Sequence, residues 1–256
     1  MPSVATLVAP ALACALAACG NKFELKKYEG STDRLYAASL QQFQRHHWDE
    51  AAQGFERLTL DLPAHDTLLP SAYYYLGQAH ERQHEPLLAA QAFARLAEGF
   101  PDDTLAPFAL YESGRAYARM WRRPDLDPQY GQSALSEFQQ LVALYPTSSL
   151  KDPADRQISR LQEWFATKDF LTGMHYYRRK AYDSAIIYFK DVVRNYPTTA
   201  TTKRAYLRLV DTYRAIRYRD DARDVCNTLL TTYPQDREVR GRCGSSATAS
   251  AQPPPS

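Results

Sequence analysis

The chain is poor in the features that would make it an enzyme or a nucleic-acid binder. Its 256 residues carry 31 Lys and Arg against 29 Asp and Glu, a formal charge of +2. That near-balance gives no basic field of the kind nucleic acid selects. It has no glycine-rich phosphate loop and no G-x-S-x-G elbow, which removes two common routes to phosphoryl and acyl transfer. Cysteine is scarce, with four in all. Cys14 and Cys19 fall in or beside an N-terminal apolar run, leaving Cys226 and Cys243, too few for a disulfide framework. Long apolar runs are lacking as well. The stretch from Val4 to Cys19 has 16 residues, short of the roughly 20 needed to cross a bilayer.

That stretch is informative by how it ends. An apolar core followed by small residues fits a secretory signal peptide, and Leu16-Ala17-Ala18-Cys19 resembles the lipobox of bacterial lipoproteins. The resemblance implies cleavage after residue 18 and lipidation of Cys19. Acyl chains contribute about 0.8 kcal/mol per buried CH₂, so several chains give a stable anchor.

The remaining sequence is organised by an internal repeat. Five segments align without gaps: "WDEAAQGFERLTLDLP" (48–63), "PLLAAQAFARLAEGFP" (86–101), "GQSALSEFQQLVALYP" (131–146), "YDSAIIYFKDVVRNYP" (182–197) and "RDDARDVCNTLLTTYP" (219–234). Alanine is fourth in each, at 51, 89, 134, 185 and 222. The eighth place holds Phe55, Phe93, Phe138, Phe189 and Cys226. Offsets of four and seven put these positions on one helical stripe, and the closing proline stops each helix. A partner helix precedes each segment. Gly77 and Gly173 both stand 24 residues before the closing proline, where close helix contact favours a missing side chain. This pattern resembles the tetratricopeptide (TPR) family. The expected fold is therefore all-α, a TPR-like α-solenoid of five helix-turn-helix repeats.

Successive closing prolines are 38, 45, 51 and 37 residues apart, so the array is interrupted. "RRPDLDPQ" (122–129) is expected to be a loop inside repeat three. Before repeat four, Asp152 is the expected N-cap of a helix with Pro153 in its first turn. Running over about 153–178, it is expected to be about 39 Å long and to link repeats one to three with repeats four and five. The organisation reads as signal peptide 1–18, polar tether 19–30, repeats 31–151, linking helix and repeats 152–240, and a disordered tail 241–256.

One motif points towards metal chemistry. His80-Glu81-Arg82-Gln83-His84 matches the H-E-x-x-H zinc pattern. Pro86 follows directly, however, and His80 takes a packing register, so these histidines read as surface or packing residues. No catalytic residue, metal ligand or cofactor site is assigned. The more useful pattern counts 27 residues back from each closing proline. It gives Tyr36, Tyr74, Phe170 and Leu207, and Tyr111 once the eight-residue insertion of repeat three is discounted. In TPR proteins this place faces the concave groove. Tyr36, Tyr74 and Tyr111 are thus candidate peptide-binding residues, offering contact area at low entropy cost.

Repeats in this order behind a lipobox resemble the BamD family, lipoproteins of the outer-membrane β-barrel assembly machinery. "FELKKYEGSTDRLYAASLQQFQRHHWDEAAQGFERL", "LDPQYGQSALSEFQQLVALYPTSSLKDPA" and "YYRRKAYDSAIIYFKDVVRNYPTT" carry the likeness. The resemblance implies a non-enzymatic scaffold on the periplasmic face of the outer membrane. Its N-terminal repeats would receive the targeting segment of unfolded outer-membrane β-barrel proteins. Its C-terminal repeats would dock a POTRA domain of the barrel subunit, BamA, with Arg214, Arg217 and Arg219 as candidate partner contacts. No nucleic-acid partner is implied. The alternative is a general TPR lipoprotein adaptor that recruits cell-wall enzymes.

Overall fold

In the computed structural model, described here over residues 23–247, every repeat is a pair of antiparallel helices. Repeat one pairs α1 (Thr32–Gln44) with α2 (Trp48–Asp61), and repeat two pairs α3 (Leu69–Arg82) with α4 (Pro86–Gly99). Repeat three pairs α5 (Ala106–Met120) with α6 (Gln129–Leu144). The second half of α7 (Lys151–Arg178) pairs with α8 (Tyr182–Asn195), and α9 (Ala200–Ala215) with α10 (Arg219–Thr232). A last helix, α11, runs Arg237–Ala247, and a 3₁₀ turn, Leu25–Tyr28, precedes the array. There is no strand among the described residues. The expected TPR-like α-solenoid is the observed fold.

The repeat signature explains the packing. Phe55, Phe93, Phe138 and Phe189 are fully buried, each stabilising by about 1.5–3 kcal/mol through burial alone. A Cβ on Gly77 would lie 2.7 Å from the Phe93 ring, and one on Gly173 would lie 2.6 Å from Phe189. The first helix of the pair thus comes close enough for the ring to lie against its backbone. In repeat five Val210 takes the glycine register and Cys226 the phenylalanine register, both buried in one cluster. The smaller sulfur residue leaves room for the larger aliphatic one.

Four first helices end in the same turn. His46, His84, Lys180 and Arg217 have φ of 64°, 62°, 60° and 65°, each 17 residues before the closing proline. The following amide reaches five residues back, as in Glu85 N–H to the His80 carbonyl at 2.9 Å, which closes the helix with a left-handed residue. Lys180 and Arg217 there also complement the negative end of the helix dipole.

Several boundaries differ from expectation. The long helix begins at Lys151, flanked by Leu150, so Asp152 lies inside its first turn and is not the N-cap. The Ser148 hydroxyl accepts the Leu150 amide at 3.2 Å, which turns the chain earlier. Over 28 residues the helix is about 42 Å long. Its Ala154, Leu161 and Phe165 sit in the core of repeats two and three, and Ala166 and Phe170 in that of repeat four. The Glu163 carboxylate accepts the Ala200 amide at 2.8 Å and the Thr201 hydroxyl at 2.6 Å, joining α7 to the start of α9. The residues expected as a tether are packed from Phe23 onward: Phe23, Leu25 and Tyr28 cover repeat one. The tail assigned from 241 is helical to Ala247, because Val239 and Cys243, one turn apart, are buried with α9 and α10. Cys226 and Cys243, too few for a framework in the sequence reading, form a single disulfide between α10 and α11. The remaining tail and Cys19 lie outside the described residues.

Candidate functional site

The first helices of the pairs line one face of the solenoid, and α1 with α3 and α7 with α9 also touch directly. On this face the register repeats. Counting 27 residues before the closing proline, less the insertion, gives Tyr36, Tyr74, Tyr111, Phe170 and Leu207; counting 23 gives Leu40, Gln78, Arg115, Met174 and Asp211; counting 19 gives Gln44, Arg82, Arg119, Arg178 and Ala215. Steps of four keep these positions on one side of each helix.

The structure brings Tyr36, Tyr74 and Tyr111 into matching places, each half-buried with one edge against its own repeat's phenylalanine. Ring centroids are 5.8 Å apart for Tyr36 and Phe55, 5.9 Å for Tyr74 and Phe93, and 5.6 Å for Tyr111 and Phe138. Edge-on pairs at this distance add about 0.5–1.5 kcal/mol beyond burial. Each tyrosine therefore has a packing role and also presents a partly open ring. Burial first, and then the Glu112 carboxylate, raises the Tyr74 phenol above its ordinary pKa, while Gln78 donates to its oxygen at 3.4 Å.

Beside Tyr74 and Tyr111 lies an open groove of about 1010 Å³ across α3 and α5, lined by Trp48, Gln78, Glu81, Arg82, Glu112, Arg115, Arg119 and Arg122 among others. A smaller recess of about 330 Å³ continues it to α7, where Gln157, Arg160 and Trp164 join Arg115 and Arg119. Five arginines thus face two carboxylates. Arg115 chelates Glu112 at 2.9 Å, and Arg119 pairs with Glu81 across the two helices. The Arg82 guanidinium lies 5.7 Å over Trp48 and that of Arg160 lies 5.5 Å over Trp164. Such a surface can hold an extended chain by its carboxylates and aromatic side chains together. The sequence count singled out the tyrosines and not these arginines. The count of 19 would have found Arg82 and Arg119.

Arg214, Arg217 and Arg219 gather elsewhere, at the α9–α10 connection, and all are exposed. Arg214 donates to the Arg242 carbonyl at 3.0 Å, tying the connection to α11. The H-E-x-x-H residues are held apart from any shared ligand. His80 Nδ1 is 2.8 Å from Glu85, Glu81 pairs with Arg119, and His84 lies beyond the end of α3. No group of three His, Cys, Asp or Glu among the described residues could hold a metal ion. No described helix is long and apolar enough to cross a membrane.

Residues 28–229 match the family YfiO, described as an outer membrane lipoprotein. The chain is 25% identical over 240 residues to the outer membrane protein assembly factor BamD of Caulobacter vibrioides, covering 91% of this chain and 77% of that one. It is 28% identical over 94 residues to BamD of Vibrio cholerae, covering 37% of this chain and 39% of that one. Among solved structures, the TPR domain of P58(IPK) is similar over 86% of this chain and 56% of its own, with a TM-score of 0.44 and 13% identity. The thermophilic TPR protein TTC0263 of Thermus thermophilus covers 85% of this chain with all of its own, at a TM-score of 0.37 and 19% identity. With five helical hairpins in one register and a family match that runs from before the first into the last helix of the fifth, the chain belongs to the BamD (YfiO) family of outer membrane lipoproteins.

Proposed function

We propose that the protein is a non-enzymatic scaffold of the outer-membrane β-barrel assembly machinery, anchored by lipid on Cys19 to the periplasmic face of the outer membrane. Repeats one to three receive the targeting segment of unfolded outer-membrane β-barrel proteins. Repeats four and five hold a BamA-like barrel subunit through a POTRA domain, with Arg214, Arg217 and Arg219 at that contact. The lipid raises the effective concentration of the scaffold beside the barrel machine, and α7 sets the distance between the two modules.

The observation that supports this reading is the arginine-rich groove across α3 and α5, whose Gln78 donates to the Tyr74 hydroxyl and whose Arg115 lies over the Tyr111 ring. An oxidising compartment also agrees with the Cys226–Cys243 disulfide. The test is co-purification from detergent-solubilised envelope, with binding of a C-terminal barrel peptide measured in parallel. Recovery of a barrel subunit supports the reading, whereas recovery of peptidoglycan synthases or hydrolases alone supports a cell-wall adaptor. Tyr74→Ala and Tyr111→Ala should weaken peptide capture with helicity intact; unchanged affinity would leave these rings purely structural.

A further inference from the structure

A second groove occupies the same registers two repeats further on, with different chemistry. Phe170, Leu171, Met174 and Arg178 of α7, with Arg204 and Arg208 of α9, line a recess of about 530 Å³ that Glu238 and Arg242 of α11 close. Phe170 and Arg178 stand where Tyr74 and Arg82 stand in repeat two, and Met174 where Gln78 stands. Phe170 and Met174 thus replace the tyrosine and glutamine of the first groove, which gives this one an apolar strip on its floor, while Arg178 keeps the basic place. Leu171 is 42% exposed within it.

Guanidinium groups surround that floor. Arg204 lies 4.4 Å over the Phe170 ring and Arg208 lies 5.7 Å over Tyr177. Arg208 and Arg242 share Asp211 at 3.2 and 2.8 Å, and Arg242 also reaches Glu238 at 3.2 Å. Among the described residues, Arg178 and Arg204 form no ion pair. Four arginines thus meet two carboxylates, and two of the four keep their charge for an incoming group. The Leu126 carbonyl of the Trp121–Pro128 loop accepts from Lys168 of α7 at 3.0 Å. The Cys226–Cys243 bond holds the α11 wall in place.

We propose that this groove binds an acidic amphipathic segment of a partner protein. Leucine or phenylalanine side chains of the segment rest on Leu171 and Met174, and its carboxylates pair with Arg178 and Arg204. The occupant follows from charge complementarity together with the floor. A nucleic acid would leave the apolar floor uncovered, and a planar lipid surface cannot enter a recess closed by α11. The inference concerns the chemistry of the segment and holds whichever partner supplies it, so it stands apart from the barrel-assembly reading.

The experiment is fluorescence anisotropy of the full chain in mild detergent with a dye-labelled peptide of Glu, Leu and Phe. A Lys-for-Glu version of the peptide and an acidic peptide lacking apolar residues are the comparisons. The acidic amphipathic peptide should bind tightest, with affinity falling as salt rises. Arg178→Glu and Leu171→Asp, both at exposed positions, should each weaken it by roughly tenfold or more. Arg95→Glu, exposed on α4 and outside both grooves, should leave it unchanged, and Arg160→Glu tells the two grooves apart. Circular dichroism confirms that each variant is folded. Equal binding of all three peptides, or full affinity in folded Arg178→Glu and Leu171→Asp, would overturn the proposal. So would loss of binding on Arg160→Glu alone, which would place the segment in the first groove.

Discussion

Glu137 on α6 is a perturbation whose direction and pH window both follow from its surroundings. Burial first, and then the Glu98 carboxylate of α4, raises its pKa from an ordinary 4.5 to about 7, and a hydrogen bond from Ser113 of α5 offsets only part of this. The folded chain therefore keeps a proton there that the unfolded chain releases between these two values. Its contribution to stability falls as pH rises through that window, and the full cost is present above it. A tenfold change in proton affinity is about 1.4 kcal/mol, so the ionised carboxylate costs on the order of 3 kcal/mol, of which solvent relaxation leaves about 2 kcal/mol recoverable. Glu137→Gln keeps the shape and cannot ionise. Urea unfolding followed by circular dichroism should find the variant more stable by about 2 kcal/mol near pH 8 and within about 0.5 kcal/mol of the native chain near pH 4.5. A gap of the same size at both pH values would refute the reasoning, as would a variant less stable near pH 8.

Other substitutions test the packing. Gly77→Ala places a methyl 2.7 Å from Phe93 and should destabilise by about 1–3 kcal/mol, read as a lower urea midpoint. His84→Gly relieves a left-handed residue and should stabilise by about 1 kcal/mol, with a raised melting temperature as the readout. Cys243→Ser opens the bond that closes a 17-residue separation and should cost about 2–4 kcal/mol, with faster amide exchange confined to α10 and α11.

The solenoid was legible because a repeat protein writes the same neighbour contact many times. Ala51, Phe55 and Pro63 recur at fixed offsets, and each recurrence specifies one helix pair. Tyr74 and Tyr111 were legible for the same reason. The arginine columns were not. They stand at counts of 23 and 19, which the sequence reading did not take, and an isolated surface arginine reads as a solvated residue until the fold sets Arg82 beside Arg119. The packed segment 23–30 and α11 were missed because each is mostly polar and is held by a few apolar contacts, such as Phe23 on repeat one and Val239 under α10. The Cys226–Cys243 pairing depends on where α11 folds back, which no spacing in the sequence encodes.

The most direct measurement of the central claim is site-specific photocrosslinking of the full chain to an unfolded outer-membrane β-barrel protein. Photoreactive residues at Arg82 and Arg115, in the arginine-lined groove, should capture the substrate through its C-terminal segment, while one at Leu144, exposed on α6, should not. Capture at Leu144 with none at Arg82 and Arg115 would contradict the account.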